Sequence, residues 1–147
     1  HRRGYELSVE NIEDKLNDVA GIRVICSFVE DIYYLASMLS AQDDLTVLQV
    51  KDYIKNPKEN GYRSLHLIIQ TPIFLSDQKK NMRVEVQFRT IAMDFWASVD
   101  HKLKYKKNVK NPERIAGELR KCADIISSVD QRMQEIRTMI EEGENDD

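Results

Sequence analysis

The chain has 147 residues, enough for one domain with a core of its own and too few to argue for two. Its 41% hydrophobic and 32% charged residues fit a soluble globular protein. The net charge of −3 excludes the global basic footprint of a dedicated duplex-DNA binder, so any affinity for polyanions has to be local.

Apolar runs are only a few residues long, which leaves no candidate for a bilayer span or a secretory signal and points to the cytoplasm. The two cysteines, Cys26 in an apolar segment and Cys122 on the stripe of a predicted helix, lack metal-ligand spacing, and packing is the role expected of each. Because the chain opens His1-Arg2-Arg3 without a methionine, further residues are expected upstream.

In chain order, Ser8 is a ready N-cap and Ile12 and Leu16 have helical spacing, so a short helix is predicted over Ser8 to Asn17. Gly21 to Phe28 alternates Ile22, Val24, Cys26 and Phe28 with Arg23, Ile25 and Ser27, the pattern of a strand buried on one face. Val29 to Gln42 carries Ile32, Leu35, Ala36 and Leu39 on one helical stripe, and Leu45 to Ile54 reads as a strand. Together these make a βαβ-like opening.

The stretch KDYIKNPKENGYRSLH, residues 51 to 66, then enters a loop rich in turn residues and leaves as a strand. Lys51 and Lys58 are spaced ammonium groups suited to phosphate, and Tyr62 follows a glycine and is suited to stacking on a base. An ordinary polar hairpin with its tyrosine packed on the turn fits the same residues. If the segment from Arg63 to Gln70 is extended, Tyr62, Ser64 and His66 project from one face, and Leu65, Leu67 and Ile69 from the other.

A polar turn is predicted at Ser76 to Asn81 and a strand at Met82 to Thr90. There Val84, Val86 and Phe88 face the core, and Arg83, Glu85, Gln87 and Arg89 form a row opposite. That row is either a solvated face or a site wall in which Glu85 is a metal ligand or general base and Gln87 reads a base edge. Ile91 to Lys104 puts Ala92, Phe95, Trp96, Val99 and Leu103 on one stripe, and the aromatic pair is read as core. The basic cluster His101, Lys102, Lys104, Lys106, Lys107 and Lys110 is a solvated surface or an attractor of nucleotide phosphates or RNA.

Asn111-Pro112-Glu113 is a strong helix start. The helix it opens repeats Ile115, Leu119, Cys122, Ile126, Val129, Met133, Ile136 and Ile140 with coiled-coil spacing, which asks for a partner in the same chain or in a second subunit. Among the carboxylates, Asp18 and Glu85 each sit beside an arginine and next to apolar sequence. Phosphoryl-type transfer asks little more than carboxylates for Mg²⁺, cations along phosphates and a positioned hydroxyl.

The runs NDVAGIRV (17–24), KDYIKNPKENGYRSLH (51–66) and VEVQFRTIAMDFWASVDHKLKYK (84–106) resemble the synthetase domain of the RelA/SpoT family, and within it the stand-alone small alarmone synthetases. The resemblance covers about Asp18 to Lys106. It implies an α+β fold: a nucleotidyltransferase-like mixed sheet of about four to five strands flanked by helices, with a long C-terminal helix. The implied division is a synthetase core over 1–110 and an oligomerisation helix over 111–147.

The implied reaction is Mg²⁺-dependent pyrophosphoryl transfer, in which the 3′-hydroxyl of GDP or GTP attacks the β-phosphorus of ATP and AMP leaves. Asp18 matches the family's metal-binding aspartate. Glu85 matches the glutamate that helps hold the metal and activates or orients the hydroxyl. Arg23 matches the arginine that stacks on adenine, and Tyr62 the tyrosine that stacks on guanine. Lys51, Lys58, Asn60 and His66 fall at acceptor-nucleotide positions, with Gln87 at or near the guanine edge. Arg2 and Arg3 match the last of several basic residues that hold the ATP phosphates, most of them upstream of His1, so a chain starting there is expected to lack part of its grip on ATP. No His-Asp hydrolase motif is present, and alarmone hydrolysis is not expected.

Homo-oligomerisation as a tetramer through the last helix is the implied assembly, with single-stranded RNA a further candidate partner and no membrane. Two other readings stand beside this one. A non-catalytic nucleotide- or RNA-binding homologue would yield no AMP, and a different transferase of the same fold group would release pyrophosphate from ATP.

Overall fold

The computed structural model describes residues 6–14, 19–104 and 109–145. Five strands, β1 (Glu6–Asp14), β2 (Val19–Cys26), β3 (Thr46–Asp52), β4 (Leu65–Phe74) and β5 (Lys79–Thr90), form one sheet in the order β1-β2-β5-β4-β3. β2 pairs parallel to β5, and the other three pairings are antiparallel. Three helices follow from the chain: α1 (Val29–Ser40), α2 (Ile91–Lys104) and α3 (Pro112–Asn145). This is the expected mixed sheet with flanking helices and a long C-terminal helix.

Alternation decides which face of the sheet is core. Val24 and Cys26 of β2, Leu65, Leu67 and Ile69 of β4, and Val84, Val86 and Phe88 of β5 are all buried in one cluster with Ile32 and Ala36 of α1. Cross-strand partners repeat the pattern, with Phe88 opposite both Leu65 and Val24, and Val86 opposite both Leu67 and Ile22. Each such side chain removed from water stabilises the fold by roughly 1.5–3 kcal/mol. The opposite face carries Arg23, His66, Glu85, Gln87 and Arg89, with Ile25 and Ile68 among them.

Several expectations are corrected. The segment predicted as a helix from Ser8 is strand β1, hydrogen-bonded along the edge of β2. Its Leu7-Ser8-Val9-Glu10 alternation is a strand pattern, and a register shift between Glu10 and Asp14 breaks the period before Ile12. The βαβ-like opening is split. β2 and β3 run parallel, but β5 and β4 lie between them, because the hairpin of β4 and β5 is inserted where a direct partner for β2 would sit. That hairpin turns at Leu75–Gln78, earlier than predicted, so β4 reaches Phe74 and β5 begins at Lys79.

On α2 the buried residues are Met93 and Trp96, whereas Phe95 is 63% exposed. The helix is seated by its start: Thr90 caps it, accepting a hydrogen bond from the Met93 amide at 3.1 Å. That anchor turns the Met93–Trp96 side inward.

α3 lies along its own chain. Trp96 Nε1 donates to the Leu119 carbonyl at 2.8 Å, Thr90 Oγ1 to Asp130 at 2.6 Å, and Arg137 to buried Asp31 of α1 at 2.7 Å. The docked side therefore runs through Leu119, Ala123, Ile126, Asp130 and Arg137. Of the predicted seam, only Leu119 and Ile126 are on or near it, while Ile115, Cys122, Val129, Met133, Ile136 and Ile140 are exposed. Packing is thus the role of Cys26, which is fully buried, and not of Cys122.

Candidate active site

The site is built on the polar face of the central strands. Backbone register sets Lys51 of β3, His66 of β4, Gln87 of β5 and Arg23 of β2 in one transverse row. In the next row Glu85 lies opposite Gly21, a position with no side chain to fill the space beside the carboxylate. Sheet pairing thereby brings together residues up to 64 positions apart in sequence without any loop having to place them.

The loop before β4 adds the aromatic part. The amide of Tyr62 donates to Asn60 Oδ1 at 3.0 Å, and the Gly61 amide to the Lys58 carbonyl at 2.8 Å. Gly61 has φ +99°, and a Cβ there would lie 2.7 Å from that of Ala123 on α3. Both the backbone angle and the closeness of the helix demand glycine. Arg63 donates to the Ala123 carbonyl at 2.7 Å and to Asp124 at 3.2 Å, and Arg120 donates to the Glu59 carbonyl. α3 therefore braces the loop that carries Tyr62.

A directed hydrogen-bond chain crosses this face. Arg89 Nη2 donates to Tyr62 Oη at 2.7 Å, and Tyr62 Oη meets His66 Nε2 at 3.0 Å; because the acceptor-only Glu85 carboxylate faces Nδ1, the neutral ring keeps its proton there and accepts the Tyr62 proton at Nε2. His66 then carries its proton on Nδ1, 3.3 Å from Glu85 Oε1. The imidazole is neutral: burial holds its pKa down to about 4, against the pull of Glu85 and aided by Arg89, Lys58 and Lys51. With the ring neutral, the 3.3 Å approach of His66 to Glu85 is a polar contact and not an ion pair.

Arg89 also donates to Gln87 Oε1 and to Asp94 Oδ1, both at 3.1 Å, and Asp94 lies 3.7 Å from Arg23 Nε. The Tyr53 ring meets those of Tyr62 and His66 edge-on at 6.1 and 5.3 Å. Lys58 Nζ hangs over the Tyr53 and Tyr62 rings at 4.9 and 5.2 Å.

The row on β5 is thus a solvated face only at Arg83, which is exposed. Glu85 and Gln87 are half-buried and Arg89 is 7% exposed. Of the residues singled out in the sequence, Tyr62, His66, Glu85 and Gln87 belong to one network, with Lys58 over it and Lys51 beside His66 in register. Arg23 joins through Asp94. Asn60 serves as the turn acceptor. Asp18, Arg2 and Arg3 lie outside the described residues, as do Lys106 and Lys107. Arg89, Asp94 and Tyr53 carry the network but were not singled out. Arg89 belonged to the polar row, so alternation could have flagged it, whereas nothing in the spacing marks Asp94 or Tyr53.

Beside the network a cleft of about 690 Å³ opens between Arg23, Tyr62, Arg89 and the α2 residues Ser98, His101 and Lys102. Its mouth is basic, which suits a nucleotide polyphosphate. Among the described residues no three His, Cys, Asp or Glu side chains cluster into a cage for a metal ion. Glu85 still fits a hard cation shared with phosphate, because Mg²⁺ in nucleotide sites takes one or two carboxylates and completes its shell with phosphate oxygens and water. No helix among the described residues is long and apolar enough to cross a membrane.

Comparison with known proteins bears on this site. The family described as the region found in RelA/SpoT proteins matches residues 2–110. The GTP pyrophosphokinase YwaC of Bacillus subtilis is 44% identical over 140 residues, which are 95% of this chain and 67% of that protein. The GTP pyrophosphokinase YjbM of the same organism is 40% identical over 131 residues, 89% of this chain and 62% of that protein. Among solved structures, small alarmone synthetase 1 of Bacillus subtilis bound to its product pppGpp matches with a TM-score of 0.78 at 39% identity, covering 87% of this chain and 65% of that one. The chain spans about two thirds of the length of these relatives.

Proposed function

The chain belongs to the RelA/SpoT family, and from that premise we propose that it is a GTP pyrophosphokinase that makes (p)ppGpp. It transfers the pyrophosphoryl group of ATP to the 3′-hydroxyl of GDP or GTP and releases AMP. The observation that carries this reading is the pair of hydrogen bonds from Arg89 through Tyr62 to His66, whose ring in turn lies 3.3 Å from Glu85, so that the guanosine-side tyrosine is linked to a carboxylate of the central strand β5.

In this reading Tyr62 stacks on guanine and Lys51 and Lys58 neutralise the acceptor's phosphates, with Asn60 holding the turn between them. Arg23 stacks on adenine at the edge of the basic cleft, and Arg2 and Arg3 contribute to the grip on the ATP phosphates. His66 keeps Glu85 Oε1 in place, leaving the other carboxylate oxygen for the 3′-hydroxyl. Glu85 takes the hydroxyl proton as O3′ bonds to the β-phosphorus, the bond from that phosphorus to the α–β bridging oxygen breaks, and AMP departs. Glu85 and Asp18 would hold Mg²⁺, which would supply charge neutralisation at the phosphate oxygens.

The division of labour follows the chain: residues 1–110 are the catalytic core, and residues 111–147 are the assembly helix, whose outer apolar stripe supports a homo-oligomer, a tetramer by family resemblance. The exposed basic end of α2, His101, Lys102 and Lys104, is the candidate contact for single-stranded RNA. The cytoplasm, where nucleotide triphosphates are abundant, is the proposed location.

With Mg²⁺, ATP and GDP or GTP, the full-length protein should release AMP and form a 3′-pyrophosphorylated guanosine nucleotide. Glu85→Gln keeps the shape but removes the base and should lower kcat by at least ~10²-fold. Undiminished product from that variant would remove Glu85 from its assigned role.

A further inference from the structure

Arg89 stands where the donor and acceptor directions of the site are decided. A guanidinium has five N–H donors and no acceptor, so its 3.1 Å contact with Gln87 has to run to Oε1 of the amide. The NH₂ edge of Gln87 donates to no described residue and is the edge left for a ligand. An unrestrained glutamine amide turns about its last torsion, presents either edge and discriminates little. Here rotation is blocked from behind. Arg89 is 7% exposed, is held by Asp94 through Nη1 at 3.1 Å, and lies 5.3 Å from the centroid of the Tyr62 ring.

We propose that Arg89, anchored by Asp94, is a positioning residue that sets acceptor-base specificity: it holds the Gln87 amide so that the site offers a hydrogen-bond donor to the carbonyl oxygen of a 6-oxopurine and turns away a 6-aminopurine. This rests on the reading of Tyr62 and Gln87 as the acceptor-nucleotide side, and adds to it the residue that makes the glutamine selective. A 6-amino group facing the amide NH₂ sets two donors against each other and leaves both unpaired in a half-buried site. Such a mismatch is worth about 10- to 100-fold in discrimination.

The test compares GDP with the 5′-diphosphate of 2,6-diaminopurine riboside as acceptors, following AMP release from ATP and Mg²⁺. The wild-type protein should favour GDP in kcat/KM by at least ~10-fold. Arg89→Met should bring that ratio towards one, beyond any loss of rate common to both acceptors. Gln87→Glu, which leaves Arg89 in place, keeps one oxygen on the guanidinium and offers the other as an acceptor, so it should favour the diaminopurine nucleotide. Equal losses on both acceptors in Arg89→Met, or a retained preference for GDP in Gln87→Glu, overturns the proposal.

A nucleotide-free measurement separates the geometry from the function. Side-chain ¹⁵N relaxation of Gln87 should report an ordered amide in the wild type and loss of that order in Arg89→Met, because Arg89 holds Oε1. A Gln87 amide equally ordered in Arg89→Met refutes the role of Arg89 even where activity is intact. Absence of AMP release with either acceptor refutes the proposed function and, with it, the specificity.

Discussion

At His66 the burial of the ring outweighs the attraction of Glu85, and the side chain works as a neutral connector whose pKa falls to about 4. The consequence for stability has a definite sign. The unfolded histidine titrates near 6.5, so between that pH and about 4 the unfolded chain binds the extra proton and the fold does not. The stabilisation is complete above the unfolded value and is lost as pH falls through this window, by an amount on the order of 3 kcal/mol. Thermal unfolding followed from pH 7 to pH 4 should therefore show a steeper acid decline for the wild type than for His66→Gln. Parallel declines would mean that the ring titrates normally and that burial does not hold it neutral through this window.

Among the elements, α3 holds the loop before β4 through Arg63 and Arg120 and the start of α1 through Arg137. Arg137 reaches Asp31 in the first turn of α1, whose carboxylate is almost fully buried, and its guanidinium also lies over the Phe28 ring at 4.5 Å. Arg137→Ala strands that carboxylate and should cost about 3 kcal/mol in denaturant unfolding, whereas Arg137→Met combined with Asp31→Leu should recover most of the loss. A single variant as stable as the wild type would show that the pair does not anchor the helix.

The same scale shows what could be read from the chain alone. β2, β4, β5 and α1 were legible because their alternation or helical spacing reports a single buried face; α2 and α3 were legible as helices, but the stripes read on them include exposed Phe95 and six exposed seam residues of α3. β1 was not, because Ile12 and Leu16 satisfy a helical spacing while the edge of β2, which sequence does not display, supplies its hydrogen bonds. The inserted hairpin that separates β2 from β3 is likewise a matter of topology. Tyr62, His66, Glu85 and Gln87 were legible through motif and alternation. Arg89, Asp94 and Tyr53 act only through contacts that folding creates, and no local pattern announces those contacts.

For the whole molecule, the docking of α3 leaves Ile125, Val129, Met133, Ile136, Met139 and Ile140 exposed on one helix, a larger apolar stripe than a monomer usually shows to water. Sedimentation velocity at micromolar concentration should find an assembly larger than the monomer, and Val129→Asp with Met133→Asp should shift it towards the monomer; a monomeric wild type would contradict the proposed assembly. The central claim concerns which bond of ATP is broken. Incubation of the full-length protein with Mg²⁺, GDP and ATP labelled at the β-phosphorus should transfer the label to the guanosine nucleotide and leave unlabelled AMP. Label appearing instead as free pyrophosphate, with adenylate joined to the acceptor, would contradict it.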